Sequence, residues 1–335
     1  RKPRAFTLVE MLTVIIIIGI LAGLMLVAFG GARTRARIAV QKAELAELSM
    51  AMEAYRQKYG EYPPNNIQGD TAAVERHLRK AFPRYRIHTT GVATLYEQFA
   101  TDLAVFGLTA ANMDAASALV FWLGGLPETV PAAGEIWAPA GFSADPSNPF
   151  QAGTNRLPTF YKFEPDSTRL IRDTVNGTLR FYPPSVTTAP YVYFRARRDG
   201  TTNRFEYGYV VTTGPGSPYF RPYAWVGGSN NVCVPYMDWQ EGDPLPNDGS
   251  VAAATPGNTT YRRWRNAETF QILSPGLDGY YGYGPLPATP TTFDATNPYW
   301  YRYSRILVNF TPEGADRDNI ADFSDGTLAD EQRTN

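Results

Sequence analysis

The sequence predicts an α+β protein in which one long N-terminal α-helix carries a globular head of short helices and antiparallel strands. Three patterns support this fold class. Residues 11–32 are uncharged, an apolar stripe then recurs at helical spacing up to Tyr55, and prolines and glycines are concentrated in an aromatic region beyond residue 125. A helical segment followed by many short strands and turns is typical of the α+β class.

Composition limits the possible functions. The 335 residues are 44% apolar, which is enough chain to bury a substantial core. The 31 basic and 32 acidic residues leave a formal charge of −1, which argues against nucleic-acid binding by phosphate neutralisation. Cys233 is the single cysteine, and only two histidines, His77 and His88, are present. Few groups are therefore available for disulfide, zinc or acid–base chemistry, and we do not expect an enzyme.

The uncharged run is long enough to cross a membrane. At about 1.5 Å per residue, 11–32 form roughly 33 Å of helix, against a hydrocarbon core of about 30 Å. Basic residues precede it, as in a secretory signal, but the apolar part is too long and lacks a clear small-residue cleavage site. We expect a transmembrane or filament-core helix over 6–32 that continues as an amphipathic helix over 33–60.

Glu10 lies near the start of this apolar helix, where a carboxylate costs on the order of 3 kcal/mol at membrane depth. It is therefore expected to stay hydrated near the headgroups, to be paired, or to be functional. Residues 5–10, Ala-Phe-Thr-Leu-Val-Glu, followed by Met-Leu-Thr-Val-Ile at 11–15, resemble the prepilin-peptidase site and N-terminal helix of type IV pilins and type II secretion pseudopilins. The resemblance covers about residues 1–60.

The resemblance implies processing at the N-terminus. A basic leader, residues 1–5, is expected to be removed by a prepilin peptidase in the cell, so that Phe6 becomes the first residue and its amine is methylated. Ala5 occupies the position before the cut, where the family usually has glycine.

The resemblance also implies that Glu10 is the assembly glutamate, which meets the amine of Phe6 of a neighbouring subunit. A buried carboxylate needs an opposite charge, and correct axial stacking of subunits supplies it. If the leader is retained, the expected partners of Glu10 are Lys2 and Arg4 instead.

The amphipathic continuation is predicted from Leu45, Leu48, Met52 and Tyr55, which recur at helical spacing and are typical of a seam that docks a head. The other face carries charged residues, namely Arg37, Lys42, Glu44, Glu47 and Lys58. Gly60 and the following Pro-Pro pair are expected to end the helix. The Tyr-x₄-Gly-x-Tyr-Pro pattern over 55–63 is again similar to the pseudopilin helix end.

The head is predicted over 61–335, with a helical part at 65–125 and a β-rich part at 126–335. Helical patterns lie at 71–82, 95–106 and 112–123. The last begins near Asn112 or Asp114 and ends at Gly124-Gly125.

Two hairpins are predicted in the β-rich part. Asn176-Gly177 favours a tight turn between 168–175 and 178–182, and Asp199-Gly200 lies in a longer turn between 191–197 and 204–211. Further strands are predicted at 270–273 and 305–310.

The sequence also predicts a calcium site. Residues 274–279, Ser-Pro-Gly-Leu-Asp-Gly, and 314–320 are similar to the calcium loop of major type II pseudopilins, and acidic residues predominate over 313–331. The resemblance implies Ca²⁺ ligands from the Leu277 carbonyl, Asp278, Asp316 and Asp318. An acidic run near a chain end is more commonly just solvated, which leaves that alternative open.

No nucleophile elbow, P-loop, zincin motif or dinucleotide fingerprint is present. His77 lies in the charged segment 75–80, which predicts a solvated surface histidine, and Cys233 is expected to pack as a small hydrophobe. Arginines alternate with aromatic residues around the second hairpin, namely Arg195, Arg197, Arg198 and Arg204. This pattern is typical of a strand whose two faces alternate, and it is equally typical of a site that binds single-stranded nucleic acid. Nucleic acid is therefore not an expected partner.

The resemblance implies a structural subunit of a type IV pilus-like filament, a helical homo-oligomer held in the bacterial inner membrane before assembly and displayed on the cell surface afterwards. Its expected partners are the prepilin peptidase and the assembly machinery. Two alternatives remain: a pseudopilin in a periplasmic type II secretion pseudopilus, and a membrane-tethered binding protein or adhesin. Segments at 118–125 and 141–146 resemble large prepilin-type proteins of planctomycete-like bacteria, which implies an enlarged head.

Overall fold

The structure is a computed structural model. It describes residues 7–65, 67, 70–132, 134–164, 168–173, 177–198, 203–211, 219–223, 225–227, 231–238, 264–281, 305–306, 319–324 and 327–328. Along the first helix, the described side chains are those of 8–23 and 31–59.

Helix α1, Leu8–Tyr59, is the long N-terminal helix that the sequence predicts, and the structure confirms it over 8–23 and 31–59. It ends where predicted. Gly60 adopts the left-handed conformation with φ 81°, and its N–H donates to the Arg56 carbonyl at 2.7 Å. Glycine enters this conformation without the steric cost of a Cβ atom, which explains the stop.

Three short helices follow in the head, each started by a side chain that accepts hydrogen bonds from the first turn. Asp70, Thr94 and Asp114 are the three N-caps. The last helix begins three residues later than Asn112 because Asp114 caps it. The elements are α2 (Thr71–Ala81), α3 (Leu95–Ala104), a 3₁₀ turn (Ala110–Asn112) and α4 (Ala115–Gly124).

The β-strands of the head are short. In chain order they are β1 (Leu170–Arg172), β2 (Leu179–Phe181), β3 (Val192–Arg195), β4 (Arg197–Arg198), β5 (Phe205–Glu206), β6 (Gly208–Val211), β7 (Tyr219–Pro222), β8 (Trp225–Val226), β9 (Val232–Cys233), β10 (Met237–Asp238), β11 (Phe270–Ser274), β12 (Arg305–Ile306) and β13 (Ile320–Ala321).

A three-stranded antiparallel sheet, in the order β13-β11-β3, lies beside α1 and α4. Its register pairs Phe270 with Arg195 and Ser274 with Ile320. The remaining described strands form two-stranded pairs, antiparallel except for the parallel pair β10 and β12. The fold is therefore α+β, as predicted, with small sheets.

The first predicted hairpin is confirmed in its strands, because β1 and β2 pair in antiparallel register. Arg172 pairs with Leu179, so six residues separate the paired strands where a tight turn at Asn176-Gly177 was predicted. The second is wrong in its main strand. Only β4 and β5 pair across that turn, whereas β3 pairs with β11. Val192 to Phe194 and all of β11 are buried, so this non-local pairing places both strands in the core.

The head packs on the C-terminal part of α1, where the predicted seam is confirmed. Leu45, Leu48, Met52 and Tyr55 are all fully buried. Every residue of α4 is buried behind them, and the indole N–H of Trp122 donates to the Pro64 carbonyl at 2.9 Å. The core thus forms between α1, α4 and the three-stranded sheet.

Candidate assembly segment and its junction with the head

The start of α1 is organised by Thr7 and Glu10. The Thr7 amide donates to Oε2 of Glu10 at 2.9 Å, and the Glu10 amide donates to Oγ1 of Thr7 at 3.3 Å. This reciprocal pair is a capping box, which satisfies two of the amides that a helix start leaves without partners. The Thr7 hydroxyl also donates to Oε2 at 2.7 Å. Glu10 therefore stabilises the helix start of its own chain.

Residues 8–21 of α1, here called the exposed apolar segment, present large aliphatic side chains to solvent. Leu8 is 82% exposed and Ile15 is 65% exposed. Exposed residues of this kind are Leu8, Val9, Met11, Leu12, Val14, Ile15, Ile16, Ile17, Ile18, Ile20 and Leu21. A contiguous apolar surface of this length marks an interaction site.

Four residues of the predicted processing and pairing site, Lys2, Arg4, Ala5 and Phe6, lie outside the described residues. In the described residues, the Glu10 carboxylate accepts hydrogen bonds from Thr7. Across the described residues, no helix combines the length and the apolar character needed to cross a membrane.

The head is attached to α1 through polar side chains of the helix, one of which, Lys42, the sequence predicts on its charged face. Gln41, fully buried, donates from Nε2 to the Gly276 carbonyl at 3.2 Å and accepts from the Ser274 hydroxyl at 3.0 Å. The Lys42 ammonium donates to the Ala321 carbonyl at 2.9 Å and to the Ser324 carbonyl. Both residues therefore hold β11 and β13 against the helix.

Glu44 completes this polar junction, which we define as the contacts of Gln41, Lys42 and Glu44 with the head. Its carboxylate accepts from the Tyr191 hydroxyl at 2.6 Å and pairs with the Arg169 guanidinium. The Tyr161 hydroxyl also donates to it, at 3.4 Å. Three hydrogen-bond donors offset the desolvation cost of this partly buried carboxylate, so Glu44 is a structural anchor.

His77 is fully buried, so the prediction of a solvated histidine was wrong. Its Nδ1 lies 2.7 Å from Oε1 of Glu61 and its Nε2 lies 2.8 Å from the Tyr55 hydroxyl. Val74, His77 and Leu78 form the buried face of α2, and this spacing is the signal that the charged neighbours obscured. Burial lowers the pKa of His77, and its contact with Glu61 only partly offsets this.

Glu61 faces His77 on one side and cations on the other. Burial acts to raise the pKa of Glu61, but the hydrogen bond from His77 and the charges of Arg195 and Lys80 lower it to about 2. The guanidinium of Arg195 and the ammonium of Lys80 each lie 3.4 Å from Oε2. Glu61 is thus an ionised group that joins α2 to β3 at the end of α1.

The predicted calcium ligands are only partly described. Leu277 is half-buried and Asp278 is exposed, with its Oδ1 accepting from the Tyr280 amide at 2.8 Å. Asp316 and Asp318 lie outside the described residues. Within the described ranges, no group of three or more His, Cys, Asp or Glu side chains is placed to hold a metal. Calcium binding stays a prediction.

Cys233 is buried, as expected of a packed hydrophobe, and burial raises the pKa of its thiol. The arginines around the second hairpin do not share one role. Arg195 pairs with Glu61, and Arg197 pairs with Asp70 at the N-cap of α2.

Comparison with known proteins concerns the N-terminus. Residues 1–26 match the family described as the prokaryotic N-terminal methylation motif. No curated protein and no solved structure matches the chain. The motif supports recognition of the chain as type IV pilin-like or pseudopilin-like and as a secreted or surface protein of that type. It implies prepilin-peptidase processing and a pilus-type assembly machinery in general.

Proposed function

We propose that this type IV pilin-like or pseudopilin-like protein is a structural subunit of an extracellular filament, assembled by packing the N-terminal helices of identical subunits. The observation that carries the proposal is the exposed apolar segment, which lies within the matched motif and which the head leaves uncovered. Among the described side chains of α1, Gln41 is the first that is buried.

Two environments can cover such a segment. Before assembly, the helix is held in the inner membrane, where burial of its aliphatic side chains is favourable by about 25 cal/mol per Å² of apolar area. After assembly, the same side chains are buried against the helices of neighbouring subunits. Heterologous contacts that do not close into a ring produce a filament with the heads on its outside.

Glu10 supplies the register in this proposal. It is the acidic residue within an aliphatic surface, so its burial in a filament core requires a cation. Cleavage between Ala5 and Phe6 creates an N-terminal amine, and the amine of an adjacent subunit meets Glu10 when the two helices have the correct axial offset. The capping box with Thr7 holds Glu10 near the helix start before that contact forms.

The test separates the charge of Glu10 from its capping role. Glu10→Gln keeps the amide acceptor that a capping box needs but removes the negative charge, whereas Glu10→Val removes both. We expect both variants to insert in the membrane and both to lose filaments from the sheared surface fraction, measured by immunoblot and electron microscopy.

The matched control is Glu97→Gln, because Glu97 occupies the same capping-box position on α3, in the head. This variant is expected to assemble normally. Filaments of normal abundance from Glu10→Gln would overturn the pairing role. Retention of wild-type chains in the envelope with loss of exoprotein release on deletion would identify a pseudopilin instead, and a monomeric surface protein would identify a tethered adhesin.

A further inference from the structure

A cleft of about 250 Å³ opens in the head between the start of α2 and strands β4 and β5. We call it the arginine cleft, because Arg76, Arg195, Arg197 and Arg198 all line it. Its volume equals that of about eight water molecules in the liquid. It therefore accommodates one small ring. The residues that line it lie well beyond the exposed apolar segment in the chain.

The charges of the arginine cleft are only partly compensated. Arg197 pairs with Asp70, and Arg195 lies 3.4 Å from Glu61. Arg76 and Arg198 are exposed, and neither has a carboxylate partner among the residues that the structure describes. The cleft thus offers two guanidinium groups to an anion, and a guanidinium matches a carboxylate through two parallel hydrogen bonds.

The other walls restrict what that ligand can be. Glu61 and Asp70 line the same cleft and repel a polyanion, but their oxygens can accept hydrogen bonds from hydroxyl groups. Phe205 and Tyr223 add aromatic surface that suits an apolar ring face. A ligand with one negative charge, several hydroxyl groups and one apolar face fits all of these walls.

We infer that the arginine cleft binds a uronic acid, a sugar that carries a single carboxylate, with the carboxylate on Arg76 and Arg198 and the hydroxyl groups donating to Glu61 and Asp70. None of the residues that line the cleft belongs to the exposed apolar segment. It gives the head a recognition function for acidic carbohydrate.

The test is calorimetric titration of the full chain in detergent with glucuronate, with glucose as the neutral control. Glucuronate is expected to bind at least about tenfold more tightly than glucose, since a charge-assisted hydrogen bond is lost in the neutral sugar. Arg198→Gln and Arg76→Gln are each expected to weaken glucuronate binding by about tenfold.

Arg79→Gln is the matched control, because Arg79 lies on the same helix, is exposed and pairs with Glu75 outside the cleft. Binding by this variant is expected to equal that of the wild type.

A second probe, oligoglucuronate, distinguishes the source of the sugar. Tighter binding per sugar unit than for the monosaccharide identifies an acidic polysaccharide, and equal binding identifies a free sugar. Three results would overturn the inference: glucose binding as well as glucuronate, inorganic phosphate binding more tightly than glucuronate, or single-stranded DNA displacing glucuronate from the wild type through Arg76 and Arg198.

Discussion

Nε2 of His77 lies 2.8 Å from the phenolic oxygen of Tyr55, so a hydrogen bond between two fully buried side chains joins α2 to α1. Burial raises the pKa of Tyr55 well above its usual value, which keeps the phenol protonated as the donor. Nδ1 of His77 then donates to Glu61. The head is thus fixed to the end of α1 by a neutral imidazole with a partner on each nitrogen.

His77→Phe is expected to destabilise the protein by about 1–3 kcal/mol, because it leaves the buried Tyr55 hydroxyl without a partner. The double variant Tyr55→Phe, His77→Phe removes both groups and is expected to recover part of that loss. Urea unfolding of the wild type, both single variants and the double variant gives the coupling energy. Strictly additive losses would show that the hydrogen bond contributes nothing.

The end of α1 and the helix α2 packed on it show which features the sequence predicts and which it does not. The stripe from Leu45 to Tyr55 and the stop at Gly60 were predictable, since helical periodicity and a left-handed glycine are local signals. The spacing of His77 from Val74 and Leu78 indicated burial, but the charged residues around it led to the prediction of a solvated histidine.

Contacts between distant segments were not predictable. The partners of Lys42 lie about 280 residues further along the chain. The sequence therefore predicted that Lys42 lies on the charged face of the helix, and it gave no sign that the ammonium donates to carbonyls at β13. The pairing of β3 with β11 is equally non-local. In the exposed apolar segment, the sequence resemblance predicted a role for Glu10, but its capping box with Thr7 was not predicted and is seen only in the structure.

The polar junction gives a second prediction. Glu44→Gln weakens the contact with Arg169 and leaves that partly buried guanidinium without its charge partner. We expect a loss of about 1–3 kcal/mol in the free energy of unfolding. Glu47→Gln is the control, because Glu47 is an exposed residue on the same helix. Equal unfolding curves for the two variants would contradict an anchoring role for Glu44.

Gly125, at the end of α4, gives a third prediction. It has φ 75° and ψ −147°, a region that only glycine enters readily, and an added Cβ would collide with the Gly141 backbone. Gly125→Ala is expected to cost several kcal/mol. Gly91→Ala, at φ 87° with open space around the Cβ position, is expected to cost only the strain of about 1–2 kcal/mol. Thermal melting compares the two, and similar midpoints would refute the close approach.

Asp322 is expected to make the free energy of unfolding depend on pH. Its Oδ1 accepts from the Ile272 amide at 3.0 Å and its Oδ2 from the Asn266 side chain at 3.2 Å. Burial raises the pKa of Asp322 to about 7, although these hydrogen bonds and the Lys42 charge act to lower it. In the unfolded chain the pKa is about 3.9.

Between these two values the folded protein holds a proton that the unfolded chain has released. This contribution to stability therefore falls as pH rises from about 4 to about 7, by at most about 1.4 kcal/mol per pH unit, and is constant above that range. His77 has the opposite effect, since its lowered folded pKa reduces stability as pH falls below about 6.5. The two slopes partly cancel in the wild type.

Asp322→Asn separates them. Urea titration at several pH values measures the unfolding free energy of the wild type and of Asp322→Asn. As pH rises from 4 to 7, the unfolding free energy of the wild type is expected to fall relative to that of Asp322→Asn, and above pH 7 the difference is expected to stay constant. His77→Phe serves as the comparison, because its difference from wild type is expected to change in the other direction below pH 6.5. Parallel curves for wild type and Asp322→Asn across this range would show that the Asp322 carboxyl ionises in the folded protein as it does in water.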